Sequence, residues 1–292
     1  METTAVLNRY ETITTVLSII AICVSILIPF VQWVYKKWIA TAIVKFYPTG
    51  QATLFFNQSG SYIRINGVIE SERSSTTIKK MSIVLTRKRD DRKLNLIWSY
   101  LVSPVNASML GNYVQSSEAA HPFRVEADSV ACAFVEYSDP SDSSGKKIRS
   151  ICADLLPLIM QVVQKHTYDE ALTALSKSPE YLDAKNNVLG DFFWEIGQYM
   201  VDVSVEYGKQ KTKTFSFDFT VSEQDYNDLR SNIDESLIAK LKDFYSVRWS
   251  FRSPMVEITE RKAQGASWRN EWETGGERRP YGEEQLRNMF SV

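Results

Sequence analysis

The hydrophobic pattern of the chain begins with an apolar run from Ile13 to Tyr35 that contains no charged residue. At a rise of about 1.5 Å per residue, a helix of this length crosses a hydrocarbon core of about 30 Å. A secretory signal peptide would have a shorter apolar segment and small residues at its cleavage site, and a buried core helix would rarely stay uncharged over this length. The pattern therefore predicts a transmembrane anchor at 12–38, after a short N-terminal head at 1–11.

The residues at the end of this run predict both a membrane interface and an orientation. Trp and Tyr concentrate where a bilayer meets water, and Lys and Arg favour the cytoplasmic side. We therefore expect the bulk of the chain to be cytoplasmic, with the extracytoplasmic orientation as the alternative. The predicted membrane-interface anchors are Trp33, Tyr35, Lys36, Lys37 and Trp38.

After the anchor, apolar and polar residues alternate, which is typical of half-buried β-strands. Turn residues such as Ser59-Gly60 and Asp139-Pro140 separate the alternating stretches. Short strands at this spacing predict the first part of an antiparallel β-sandwich at 46–145. The clearest alternating stretches are Tyr62–Ile69, Ile78–Arg87 and Val130–Tyr137.

The remaining pattern places two helical regions around a second pair of strands. Residues 146–190 have apolar residues at helical spacing and predict a helical insertion. Alternation returns at 191–221, which predicts the closing β-hairpin of the sandwich. Ser222 is suited to begin a C-terminal helix at 222–250, because its hydroxyl can accept a hydrogen bond from the first turn.

A five-residue stretch at the start of the closing hairpin suggests a fold family. Glu195, Gly197 and Tyr199 resemble the D-x-G-x-Y stretch of immunoglobulin-like sandwiches, in which the tyrosine hydroxyl folds back onto the preceding corner. Glu195 replaces the usual Asp, and Val201 stands where antibody domains carry a cysteine, so the resemblance implies no inter-sheet disulfide. The predicted fold class is mainly β with α: an N-terminal transmembrane helix, then an immunoglobulin-like antiparallel β-sandwich with a helical insertion and a C-terminal helix.

Charge and cysteine content narrow the class of protein. The 34 basic and 35 acidic residues nearly balance, which argues against a nucleic-acid binder. The densest charge cluster, 87–93, is predicted to be a solvated hairpin tip, with a contact to anionic lipid or a partner as the alternative. Cys23 lies in the apolar run, while Cys132 and Cys152 fit a reducing compartment and leave one disulfide between them open.

The sequence contains no recognisable catalytic constellation. The chain has two histidines, His121 and His166, and both are predicted to be surface or turn residues. The HExxH, CxxC, GxSxG and P-loop patterns do not occur in the sequence. We therefore predict no catalytic residues, no cofactor and no metal, while a divergent acid–base pair of carboxylates stays open.

The polar C-terminal tail at 251–292 carries aromatic residues among many charges. Exposed aromatic side chains are costly in a polar tail unless something covers them, so we predict that the tail folds on binding a protein partner. The alternative is that these side chains pack back onto the sandwich. The predicted partner-binding residues are Trp268, Trp272 and Phe290.

Together these features predict a single-span membrane-anchored protein whose β-sandwich is a non-catalytic interaction or regulatory module at the cytoplasmic membrane face. Its predicted partners are the lipid bilayer and a protein bound through the sandwich or the tail. The alternatives are an extracytoplasmic cell-surface binding domain and a divergent membrane-tethered hydrolase.

Overall fold

A computed structural model describes the backbone of residues 2–35, 41–109 and 112–261, and the side chains of 16–35, 41–102 and 117–261. The helices are α1 Glu2–Val34, α2 Ser143–Asp154, α3 Leu156–Val163, α4 Tyr168–Ser176, α5 Pro179–Asp191 and α6 Glu223–Phe244. The strands are β1 Ile43–Asn57, β2 Gly60–Glu72, β3 Thr76–Arg87, β4 Lys93–Met109, β5 Asn112–Ala119, β6 Phe123–Val125, β7 Ser129–Cys132, β8 Val135–Ser138, β9 Gly197–Tyr207, β10 Lys211–Val221, β11 Met255–Glu257 and β12 Thr259–Glu260. The predicted mixture of helices and a dominant antiparallel sheet is confirmed.

Helix α1 is the apolar helix that the sequence predicts, although it begins earlier. Its stretch Val16–Val34, 19 residues long, is long and apolar enough to span a membrane, and none of those side chains is buried. The helix starts at Glu2, so the predicted separate head lies within it, because residues 2–12 contain neither proline nor glycine to end a helix. Trp33 and Tyr35 are exposed at its C-terminal end, and Lys36, Lys37 and Trp38 lie outside the described residues.

The described strands form one antiparallel sheet whose two edges are joined. The strand order is β11-β1-β2-β8-β4-β3-β9-β10-β12, with β5, β6 and β7 pairing on β4, β3 and β2. The segment 255–260 pairs with both edges: Val256 lies opposite Ala52 of β1, and Thr259 lies opposite Asp218 of β10. The Ile258 amide, between β11 and β12, donates to the Gly50 carbonyl at 2.9 Å. The sheet is therefore nearly a barrel.

The predicted immunoglobulin-like sandwich is not confirmed. A sandwich places two separate sheets face to face, whereas all twelve described strands here belong to one sheet. Both architectures bury every second residue of a strand, so the alternation that predicted a sandwich is equally satisfied by a barrel. Residues 63, 65 and 69 of β2 and 201, 203 and 205 of β9 show this pattern and are fully buried in one common core.

The local corner that the resemblance implies is nevertheless present. The Tyr199 hydroxyl accepts a hydrogen bond from the Glu195 amide at 2.6 Å and donates to the Glu195 carbonyl at 3.0 Å. Its ring is fully buried and stacks on Phe219, with ring centroids 5.1 Å apart. This corner fixes the loop before β9. The Glu195, Gly197 and Tyr199 motif therefore indicates a local turn and does not identify a fold family.

Helices α2 and α6 pack against β2 and β1, and hydrogen bonds set both ends of α6. Ser222 and Asp225 form a capping box at the start of α6, which confirms the predicted N-cap. The helix ends at Phe244, before the predicted limit at 250. Ser246 adopts a left-handed conformation there, and the Val247 amide donates back to the Lys242 carbonyl at 2.9 Å. The Gln58 side chain links the turn to α6 by donating to the Ser236 carbonyl at 2.9 Å.

We predict that Tyr199→Phe lowers the free energy of unfolding by about 1–3 kcal/mol, because it leaves the Glu195 amide and carbonyl without their partner. Urea unfolding followed by circular dichroism measures this change. Tyr100→Phe, which removes a hydroxyl from an exposed tyrosine of β4, is the matched control and should be close to neutral. Equal effects of the two substitutions would show that the corner is not a stabilising element.

Candidate functional site

One concave site in the described residues is a pocket of about 330 Å³ lined mainly by polar and charged residues, which we call the α2 pocket. It lies where the β1–β2 turn, the β3–β4 turn and the N-terminus of α2 meet. Three cations line it, Arg92, Lys93 and Lys147, together with two carboxylates, Asp139 and Asp191. Its hydroxyl groups come from Ser59, Ser61, Ser143 and Ser144, and its apolar wall from Leu94 and Phe193.

One carboxylate organises the turn that leads into α2. Asp139 Oδ1 accepts from the amide and hydroxyl of Ser141 at 2.9 and 2.7 Å, and Oδ2 accepts from the amide and hydroxyl of Ser143 at 3.0 and 2.8 Å. Burial by itself raises the pKa of the Asp139 carboxyl, but these four hydrogen bonds outweigh it and lower the pKa from 3.8 to about 2. Asp139 is therefore ionised and fully engaged within its own turn.

One carboxylate holds the first turn of α2, because Asp139 Oδ2 accepts from the amide of Ser143, the first residue of the helix. The N-cap residue, Asp142, is in a left-handed conformation and makes no capping hydrogen bond, because its carboxylate is paired with Arg149. In the part of the chain that the structure describes, no acceptor bonds the amides of Ser144 and Gly145. The first turn thus keeps unpaired N–H groups beside the pocket.

Two glycines allow the β1–β2 turn to approach α2 closely. Gly60 has a φ of +87°, and a Cβ there would lie 2.9 Å from the Ser144 Oγ. A Cβ on Gly145 would lie 2.2 Å from the Asp142 carboxylate and 3.1 Å from the Ser59 Cα. This approach brings the serines of the turn to the N-terminus of the helix.

The charge cluster at 87–93 divides into a buried part and a pocket-lining part. Arg87 is only 4% exposed, which contradicts the prediction that the cluster is solvated throughout. Its guanidinium donates to Asp90 at 2.8 Å and to the Phe193 carbonyl at 3.1 Å, and it pairs with Glu195 at 2.8 Å. These bonds fix the β3–β4 turn against the loop before β9 and place Arg92 and Lys93 at the pocket.

The three cations that line the pocket differ in whether a carboxylate lies beside them. Lys147 pairs with Asp191 at 2.6 Å, and Arg92 lies beside Asp90, to which its amide donates at 3.3 Å and whose pKa its charge helps to lower. Lys93 forms no ion pair with any described residue. Ser61 is only 8% exposed, and no described group is within hydrogen-bonding distance of its hydroxyl. The three cations and two carboxylates of the lining therefore nearly balance, and the Ser61 hydroxyl is buried beneath the pocket surface.

The other residues considered from sequence lie apart from this pocket. His121 and His166 are exposed and do not line it. Cys152 is buried and its thiol donates to the Ser236 carbonyl at 3.5 Å, while Cys132 is exposed on β7 and no disulfide joins the two. Within the described ranges, no group of three His, Cys, Asp or Glu side chains could hold a metal ion.

The predicted partner-binding residues of the tail, Trp268, Trp272 and Phe290, lie outside the described residues. The chain just before the tail does carry exposed aromatic side chains. Trp249 is about half exposed, and its indole donates to Asp243 at 3.1 Å. Phe244 and Phe251 lie nearby in sequence, and Phe251 lies against Trp249 with ring centroids 6.3 Å apart.

Sequence reasoning missed the α2 pocket because its residues are far apart in the chain. The local signals in the sequence are the Ser-Gly pairs at 59–60 and 144–145, and such pairs by themselves predict only turns. Comparison with protein-family models, with curated proteins and with solved structures finds no match to this chain. The pocket therefore has to be interpreted from its own chemistry.

We predict that Asp139→Asn destabilises the protein at neutral pH and progressively less in acid. Because the folded-state pKa is depressed, the stabilisation by ionised Asp139 is present above about pH 4 and is lost as the pH falls through about 2. Urea unfolding of both proteins across this range measures the difference. The double variant Ser141→Ala/Ser143→Ala, which removes two of the four donors, should move the loss to higher pH. A difference between Asp139→Asn and wild type that does not change with pH contradicts the assignment.

Proposed function

We propose that this chain is a single-span membrane-anchored protein whose β-rich unit is a non-catalytic interaction or regulatory module at the cytoplasmic membrane face. The observation that carries the proposal is the apolar surface of α1. Isoleucines 19, 20, 22 and 26 are each more than half exposed on this helix. Burying apolar surface is worth about 25 cal/mol per Å², so a bilayer is the favoured environment for such a helix.

The orientation is supported by charge and by cysteine chemistry. Lys36 and Lys37 directly follow the apolar run, and basic residues favour the cytoplasmic side. Cys132 and Cys152 are both free thiols, as suits a reducing compartment. An extracytoplasmic binding domain would instead favour a disulfide in the β-rich unit.

The non-catalytic part of the proposal is supported by the character of the α2 pocket. A hydrolase needs a nucleophile or activated water beside a base. The carboxylates here are engaged, Asp139 by its own turn and Asp191 by Lys147, and neither histidine lines the pocket. A pocket of this kind is better suited to binding than to hydrolysis. The proposal does not depend on an immunoglobulin-like fold.

We predict that a C-terminal tag on the full chain stays in the membrane pellet after carbonate extraction. Protease should remove the tag in inside-out vesicles and leave it intact on whole cells, because the basic residues after α1 favour the cytoplasm. A variant lacking 13–35 should be soluble. Digestion on whole cells would instead favour the extracytoplasmic alternative, and full release by carbonate would exclude a spanning helix.

We predict that the tail contributes to partner binding through its aromatic residues. Cross-linking and affinity purification of the full chain should recover a protein that the triple variant Trp268→Ala/Trp272→Ala/Phe290→Ala recovers at least tenfold less, because aromatic anchors dominate binding energy. Tyr281→Ala, an aromatic substitution elsewhere in the tail, is the matched control. Equal recovery with the triple variant assigns binding to the β-rich unit.

A further inference from the structure

We propose that one end of the β-rich unit binds the anionic lipid surface of the membrane that α1 spans. This end, which we call the basic end, consists of the start of β1, the β2–β3 turn with the start of β3, and the β9–β10 turn. The proposal rests on the proposed function, because it requires α1 to be a spanning helix. It deepens that function by naming the class of lipid and the residues that contact it.

Backbone pairing brings the three parts of the basic end together. Ile43, the first residue of β1, lies opposite the last residue of β2, and the turn after β2 leads directly into β3. The Gly208 amide in the β9–β10 turn donates to the Thr77 carbonyl at 3.1 Å. The Lys213 ammonium donates to the Val44 carbonyl at 2.9 Å, which joins β10 to the start of β1. These strand ends therefore form one surface.

The chain connects the basic end directly to the anchor. Helix α1 ends at Val34 and β1 begins at Ile43, and the residues between them extend at most about 30 Å when fully stretched. The opposite end of β1, at Asn57, lies about 45 Å further along the strand. Lipid headgroups at the end of α1 are therefore within reach of the basic end, and the short tether gives them a high effective concentration there.

Five exposed cations cluster at the basic end, although the whole chain has a net charge of −1. The register shift between Ile78 and Lys80 leaves two consecutive lysines of β3 exposed, where regular alternation would bury one of them. None of the five forms an ion pair with a described residue. Clusters of about four to eight Lys and Arg beside a spanning helix are typical of sites for anionic lipids. The five cations are Arg73, Lys79, Lys80, Lys209 and Lys211.

The carboxylates of the basic end do not neutralise these cations. Glu206 lies opposite Lys80 in the pairing of β3 with β9, so it compensates at most one of the five. Four other carboxylates already have partners within the unit, in the contacts Glu72–Lys45, Glu126–Arg124, Glu70–Tyr47 and Asp128 with the Arg73 amide. The basic end therefore carries a net positive charge, which complements a surface of anionic headgroups.

The experiment uses the full chain in nanodiscs of phosphatidylcholine, with and without phosphatidylserine. Lysine acetylation, measured by mass spectrometry, reports which ammonium groups the membrane covers. Labelling of the four exposed lysines of the basic end should fall about fivefold in the discs that contain phosphatidylserine, because an attraction of this size acts on each lysine near an anionic surface. The protection should be lost in 1 M salt, which shortens the Debye length to about 3 Å. Lys165 and Lys177, exposed beside α3 and α4, should be labelled equally in both kinds of disc.

Two double variants locate the contact. Lys209→Glu/Lys211→Glu should abolish the protection of Lys79 and Lys80, whereas the matched control Lys165→Glu/Lys177→Glu should retain it. Thermal unfolding in phosphatidylcholine discs checks that both variants fold, and Lys209→Gln/Lys211→Gln, which removes the charges without reversing them, should weaken the protection.

The outcomes separate this proposal from the one on which it rests. Equal labelling in the two kinds of disc, by a chain that stays in the discs, overturns the lipid contact and leaves the spanning helix intact. Protection that persists in the folded charge-reversal variant also overturns it. A chain that does not remain with the discs overturns both the spanning helix and the lipid contact.

Discussion

The joining of the two sheet edges is the constraint on which the rest of the structure depends. An open sheet of this size presents two rows of unpaired N–H and C=O groups, which promote aggregation. The segment 255–260 satisfies groups on both rows, since β11 pairs with β1 and β12 pairs with β10. This closure lets a single core fill the interior.

A second constraint is the buried guanidinium of Arg87, which connects that core to the α2 pocket. A buried charge is tolerated only when it is well paired, and Arg87 meets this condition through Asp90, Glu195 and the Phe193 carbonyl. The same contacts hold the β3–β4 turn, whose next residues are the pocket cations. The Tyr199 corner also anchors Glu195, so one network fixes both the loop before β9 and the charged wall of the pocket.

The sequence predicts those parts of the structure that are determined locally. The apolar helix, the alternating strands, the capping box at Ser222 and the tyrosine corner each depend on a few neighbouring residues. The immunoglobulin-like sandwich is not confirmed, because the pairing of Ala52 with Val256 helps to join the edges of one sheet, and short-range alternation contains no information on that pairing. The pocket is not predicted for the same reason, since Ser61 of β2 and Ser144 of α2 are distant in sequence and line it together only in the folded chain. The sequence predicts a solvated hairpin tip for the whole cluster 87–93, because seven consecutive polar and charged residues do not indicate that one of them, Arg87, is buried.

Two kinds of contact account for the described β-rich unit. The barrel-like sheet and the buried faces of the helices follow ordinary rules of apolar burial, and the buried charge of Arg87 is paired. Unsatisfied buried polar atoms are scattered rather than gathered at the α2 pocket, since Asn66 Oδ1 and Tyr137 OH lack a described partner as Ser61 Oγ does. Helix α1 differs from this unit, because the leucines and isoleucines of Val16–Val34 are exposed among the described residues, and that exposure is the observation that supports a membrane environment.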